Sequence, residues 1–193
     1  QKAIEQGYID GWDVKVKSIL PWLQGKYADG VSLRHLTTMT SGLKWNENYL
    51  SPFGITAEAY YTDNIEGVMR SIPIEREPGK KWQYQSGSTQ LLSLALREAI
   101  KNPSGGLPVY GHISDFASKN IWQPLGMEAP ARWSLDHENG MELGFCCLNA
   151  VSRDFGRLGL WVLHHGKFES ATLDSSFLAQ AQTGYKDDRY GHS

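Results

Sequence analysis

The chain has 193 residues, 40% of them hydrophobic and 21% charged, with a formal net charge of -2. That length buries a real core and fits one globular domain or a large piece of one. The charge balance gives no electrostatic case for nucleic acid or an anionic membrane, and no stretch is apolar enough to span a bilayer.

In chain order, Lys2-Ala3-Ile4-Glu5-Gln6 reads as the tail of a helix closed by Gly7. Ser32 caps a short helix carrying Leu33, Leu36 and Met39, with Gly42 at its end. Residues 56–72 form a helical stretch stopped before Pro73. Glu77-Pro78-Gly79 is a turn, and Trp82 to Ser88 leads into a helix with Leu91, Leu92, Ala95, Leu96 and Ala99 on one side. Asn102 to Gly111 is a Pro/Gly loop, followed by a helix from Ile113 to Trp122 that Pro124 closes. Asn149 or Ser152 caps the clearest helix, where Val151, Phe155, Leu158 and Val162 share a stripe and Gly166 ends the run. A last helix spans Ser175 to Ala181. Strand signals are short: Trp133 to Leu135 and Leu143 to Cys146. Cys146 and Cys147 are adjacent and read as two small buried hydrophobes, because consecutive residues reach disulfide geometry only with strain. Seven Trp and nine Tyr suit either core packing or an aromatic-lined cleft.

Four phrases in this order carry a family resemblance. Ser32 to Leu43 is similar to a segment "I-R-H-L-L-T-H-T-S-G-L", and Glu77 to Ser86 to "P-G-x-x-F-x-Y-S-N". Pro124-Leu125-Gly126-Met127 matches "P-L-G-M", and Asn149 to Gly159 is similar to "N-A-T-A-R-D-L-A-R-F-G". Together they resemble the penicillin-binding-protein and serine β-lactamase superfamily. Gly140-Met141-Glu142-Leu143 points to its branch of 6-aminohexanoate-dimer hydrolases and β-lactamase-like esterases. The fold implied is α/β (α+β), a β-lactamase/transpeptidase-like antiparallel sheet flanked by helices. Residues 1–193 would be the central part of one such domain, mainly its helical lobe.

The resemblance implies a serine hydrolase that passes an acyl group from a small-molecule ester or amide to water through an acyl-enzyme. It implies no metal and no organic cofactor. The family's Ser-x-x-Lys nucleophile is expected before residue 1, and its third, Lys-x-Gly-like element after Ser193, with Tyr190-Gly191 leading towards it. The stretch alone is then expected to be inactive and, without the remaining strands, to be unstable or to associate. The second family element falls on Tyr84-Gln85-Ser86. Tyr84 is the catalytic candidate, a base or proton relay, and Ser86 the substrate-binding candidate, donating to a substrate carbonyl where the family more often has Asn. Ser86 in that position argues mildly against β-lactams. The rivals are a D-Ala-D-Ala peptidase or β-lactamase at the cell wall and a catalytically silent binding or scaffold member. Many relatives are exported, which leans towards the periplasm or cell envelope.

Other residues have plainer readings. Ser41-Gly42-Leu43-Lys44 spells Ser-x-x-Lys, but a left-handed Gly42 would keep Ser41 and Lys44 off a common helical turn. Trp45, Tyr49, Tyr60 and Tyr61 line either a substrate mouth or ordinary packing. Arg153 pairs with a carboxylate, His164 and His165 sit at a helix end, and Asp187, Asp188 and Arg189 form a solvated turn.

Overall fold

The computed structural model describes residues 1–183. The Tyr190-Gly191 approach and the Asp187–Arg189 turn therefore lie outside the described residues. Helices dominate: α1 (Lys2–Glu5), α2 (Val16–Ile19), α3 (Leu33–Thr37), α4 (Ile55–Tyr61), α5 (Ile65–Ser71), α6 (Ser86–Lys101), α7 (Ile113–Ala117), α8 (Ser152–Leu163) and α9 (Ser175–Ala181). Short helical turns lie at Ala28–Gly30 and Ser118–Trp122, and two antiparallel hairpins complete the described elements. One pairs β1 (Arg132–Trp133) with β2 (Leu148–Asn149), the other β3 (Lys167–Phe168) with β4 (Ala171–Thr172).

The main core gathers around α6, whose Leu91, Leu94, Ala95 and Ile100 are buried. Leu33 and Leu36 of α3, Val16 of α2 and Ile65 and Met69 of α5 complete the same cluster. A second, smaller cluster joins Leu125, Trp161 and Ala171, with Leu158 and Phe168 packed against it.

Local side-chain chemistry sets some helix starts. Asn64 Oδ1 accepts from the Gly67 amide at 2.9 Å and starts α5. Asn64 and the two residues before it divide the expected 56–72 stretch into α4 and α5. The Ser32 amide donates to His35 Nδ1 at 3.1 Å at the start of α3. Burial, with smaller effects of neighbouring charges, holds the His35 imidazole below the ordinary histidine range. α3 stops earlier than its sequence suggests: Met39 takes a φ of 56°, so the helix turns off there and not at Gly42. Gly42 has another task. Its φ is +76°, and a Cβ would collide with the Arg76 backbone, whose amide donates to the Gly42 carbonyl at 3.1 Å.

Three further expectations are corrected. The strand partner of Trp133 is Leu148, and Leu143 to Cys146 instead make the turn between the paired segments. Cys146 and Cys147 are not separate thiols but a disulfide between neighbours, both half-buried. Their Cα atoms stay 3.8 Å apart. The bridge closes on a backbone turned to a φ of 72° at Cys147. The α8 stripe also differs. Asp154, Leu158 and Trp161 turn inward, while Val151 (46%), Phe155 (42%) and Val162 (40%) are exposed. Among the described residues no helix is long and apolar enough to cross a membrane.

Candidate active site

The site grows from the segment that leads into α6. Residues 82–85 are non-helical and Gln85 is extended, a backbone in which alternate side chains point to opposite sides. Gln83 and Gln85 turn inward. Gln83 Nε2 donates to the Trp45 carbonyl at 2.9 Å, and its Oε1 accepts from Arg76 at 2.6 Å. Gln85 Nε2 donates to the Leu43 carbonyl at 2.8 Å. Tyr84, between them, must face the other way, and it is 41% exposed.

Directly after Gln85, Ser86 opens α6 and is buried. Gln85 precedes the helix without a side-chain cap, so the first-turn amides need an acceptor from elsewhere. Glu47 supplies it. Its Oε2 accepts from the Ser86 amide and from Trp45 Nε1, both at 2.7 Å. Its Oε1 accepts from Ser86 Oγ, also at 2.7 Å. A carboxylate at the N-terminus of a 16-residue helix is also favoured by the helix dipole. Gly87 makes the approach possible, since a Cβ there would run into the rings and methyls of Trp45 and Leu43.

Tyr49 stands beside this group and is largely exposed. Its phenol is pushed above the ordinary tyrosine range, first by hydrogen bonding to the Glu47 carboxylate and next by burial. Ser86 opposes that shift, and Tyr84 adds a small charge effect in the same direction as Glu47. The structure thus brings Tyr84, Ser86, Tyr49 and Glu47 to one end of α6. Ser86 gives its single proton to Glu47 in this arrangement, which leaves oxygen lone pairs for any approaching group. Glu47 has no local sequence signature, and only the uncapped start of α6 hints that an acidic partner is needed.

The remaining candidates separate. Ser41 is fully buried, 2.8 Å from Ser88 Oγ, while Lys44 reaches outward to Glu75 at 2.9 Å. The pair does not meet, and the Ser-x-x-Lys spelling has no nucleophile geometry. Trp45 is a core residue, whereas Tyr60 and Tyr61 are exposed and meet edge to face at 4.9 Å. A cleft of about 440 Å³ lies between Leu43–Asn46 and Ser71–Arg76, sharing Trp45 with the site but neither Tyr84 nor Ser86. Arg153 bonds Glu128 at 2.9 Å, and buried Asp154 accepts from the Glu128 and Ala129 amides. These contacts fasten the start of α8. Among the described residues no group of three His, Cys, Asp or Glu side chains is placed to hold a metal ion.

The beta-lactamase family model matches residues 2–138, which span both Glu47 and the Tyr84-Gln85-Ser86 segment. The chain belongs to the beta-lactamase family. No curated protein matches it. Among solved structures, this beta-lactamase-family chain is similar to a Bacillus anthracis protein described as a 6-aminohexanoate-dimer hydrolase, with a TM-score of 0.76 and 22% identity over 94% of this chain and 48% of that one. An octameric penicillin-binding protein homologue from Pyrococcus abyssi aligns at a TM-score of 0.69 and 14% identity, over 98% of this chain and 46% of that one. A D-stereospecific amidohydrolase from Streptomyces sp. gives 0.65 and 17%, over 97% and 62%. These likenesses establish the β-lactamase/transpeptidase-like fold, of which the chain carries a helix-rich part. It spans about half the length of the first two relatives.

Proposed function

We propose that this chain is part of a serine hydrolase that transfers an acyl group from an ester or amide to water through an acyl-enzyme. The observation that carries the reading is Tyr84, half-exposed and held outward by the inward bonds of Gln83 and Gln85, at the head of the helix that Glu47 clamps. Ser41 is excluded by burial and by its separation in direction from Lys44. In this reading a Ser–Lys pair outside the sequence described here supplies the nucleophile.

The attacking Ser hydroxyl loses its proton to the Lys amine, and its oxygen adds to the acyl carbon. Backbone amides hold the oxyanion. Tyr84 passes a proton to the departing alcohol or amine, so the leaving group goes out neutral. Water then attacks the acyl-enzyme by the reverse route. Ser86 meets the substrate with its oxygen, held in one rotamer by Glu47. An acceptor at this point suits a substrate N–H, which an amide offers and an ester lacks.

The test is Tyr84→Phe in the full-length protein, assayed with a p-nitrophenyl ester and with an anilide of the same acyl group. A general acid–base role predicts a loss of roughly 10²- to 10⁴-fold in kcat, larger for the anilide because its leaving group needs the proton more. Unchanged hydrolysis of both would remove Tyr84 from the mechanism. Parallel assays with nitrocefin separate a β-lactamase from an esterase or amidase.

A further inference from the structure

The feature that the proposed hydrolysis leaves unused is the pair Cys146–Cys147. We propose that it is a thiol–disulfide exchange site, opened by a small dithiol, that controls how tightly the β1–β2 hairpin is closed.

The argument starts from the backbone. Cys147 has a φ of 72°, a region that a residue with a Cβ avoids unless something holds it there. Met39, Asn139, His165 and Glu169 also enter that region without a ring; at Cys147 the covalent ring between the neighbouring sulfurs would be the hold. Several hydrogen bonds depend on the conformation it fixes. The Ser134 amide donates to the Cys147 carbonyl at 3.2 Å, and the Cys146 amide to the Leu143 carbonyl at 3.1 Å. Trp133 Nε1 donates to the carbonyls of Leu143 and Cys146, both at 3.1 Å. The pairing of Trp133 with Leu148 and of Arg132 with Asn149 lies just beyond. Neither cysteine is fully buried, although both pack partly against the main core.

The chemistry balances with the dithiol as the reductant. One of its thiolates attacks a cysteine sulfur, the bond between Cys146 and Cys147 breaks, and the released sulfur takes a proton. The second thiol of the reagent attacks the mixed disulfide and closes its own ring, freeing the other cysteine. Two electrons and two protons end on the protein, and the reagent leaves oxidised. Without the ring, Cys147 relaxes towards negative φ and its carbonyl turns away from the Ser134 amide.

Intact mass and hydrogen exchange test this on the chain as it stands. Protein prepared without reductant and treated with N-ethylmaleimide in denaturant should take no adduct. Native protein treated first with dithiothreitol should take two, on the peptide holding Cys146 and Cys147. The Ser134 amide should then exchange roughly tenfold faster or more, the scale expected when a residue held at positive φ is released. Adducts before reduction, adducts that need denaturant during reduction, or unchanged Ser134 exchange would each overturn the proposal. Two variants isolate the backbone argument. Cys146→Ser with Cys147→Ser should exchange as fast as the reduced protein, and Cys146→Ser with Cys147→Gly should stay slow, because glycine accepts the positive φ unaided. Fast exchange in both would overturn the conformational part. If the serine pair does not fold, the reduced native protein gives the same reading.

Discussion

The region around α6 and the region around α8 solve the same problem differently. At α6, apolar and polar side chains are both buried: Leu91 and Ile100 along the helix, and at its start Gln85, Ser88 and Ser41, whose polar atoms bond one another or the Leu43 carbonyl. At α8 the buried set is small, Trp161 over Leu125 and Ala171, and much of the helix shows apolar side chains to the outside. The first region is fixed by mutual satisfaction of polar groups, which leaves few alternative packings. The second is fixed by a few contacts on one side.

The sharpest way to break the comparison is Leu91→Ala, in the first region. It should cost about 2–5 kcal/mol in urea unfolding, because the site is closed on all sides and cannot collapse. Next is Glu47→Ala, which strands the Ser86 amide and the Trp45 indole. About 1–3 kcal/mol is expected, less for Glu47→Gln, which keeps an acceptor. In the same variant the Tyr49 phenol should titrate at lower pH, since its largest upward influence is gone; ultraviolet titration against a Tyr49→Phe control reads this. A smaller effect concerns pH. His35 is held below its ordinary range in the folded chain, so the unfolded chain binds more protons in the window just below that range. Stability should fall as the pH drops through that window, and His35→Gln should flatten the fall; a pH-independent native His35 against a dropping midpoint would point elsewhere. The smallest effect is Val162→Ser on the outer face of α8, expected within about 0.5 kcal/mol of the parent. A cost near that of Leu91→Ala would show that this face is packed and that the two regions are alike.

Much of the fold was legible because its signals are local. The α9 span, the Gly7 stop and the periodicity of α6 all sit within a few residues of the structure they specify, whereas α8 ends at Leu163 and already turns left-handed at His165, before Gly166. The four phrases located the Tyr84 segment, and the alternation of 82–85 explains its exposure after the fact. What could not be read was set by distance along the chain or by a choice between faces. Glu47 is far from Ser86 in sequence, and nothing near it marks it as a cap. The α8 stripe had a correct period, yet a period does not say which face finds a partner. Met39 turns α3 off in the left-handed region ahead of Gly42, which is itself left-handed where it meets the Arg76 backbone. The usual span of a bridge argues against joining Cys146 to Cys147, yet the two are bridged with their Cα atoms 3.8 Å apart and a positive φ at Cys147.

The alternation of residues 83, 84 and 85 works as a ruler. One end is pinned where the Gln83 amide meets the Met39 carbonyl at 2.9 Å, the other where Ser86 meets Glu47. Between these pins the count of residues decides which side chain looks outward. Insertion or deletion of a single residue would send the phenol inward and present an amide in its place, without altering one residue type at the site. Natural variation in this stretch should therefore run through substitution, with its length held constant, while the loop at 102–111, bound by no such parity, is free to lengthen.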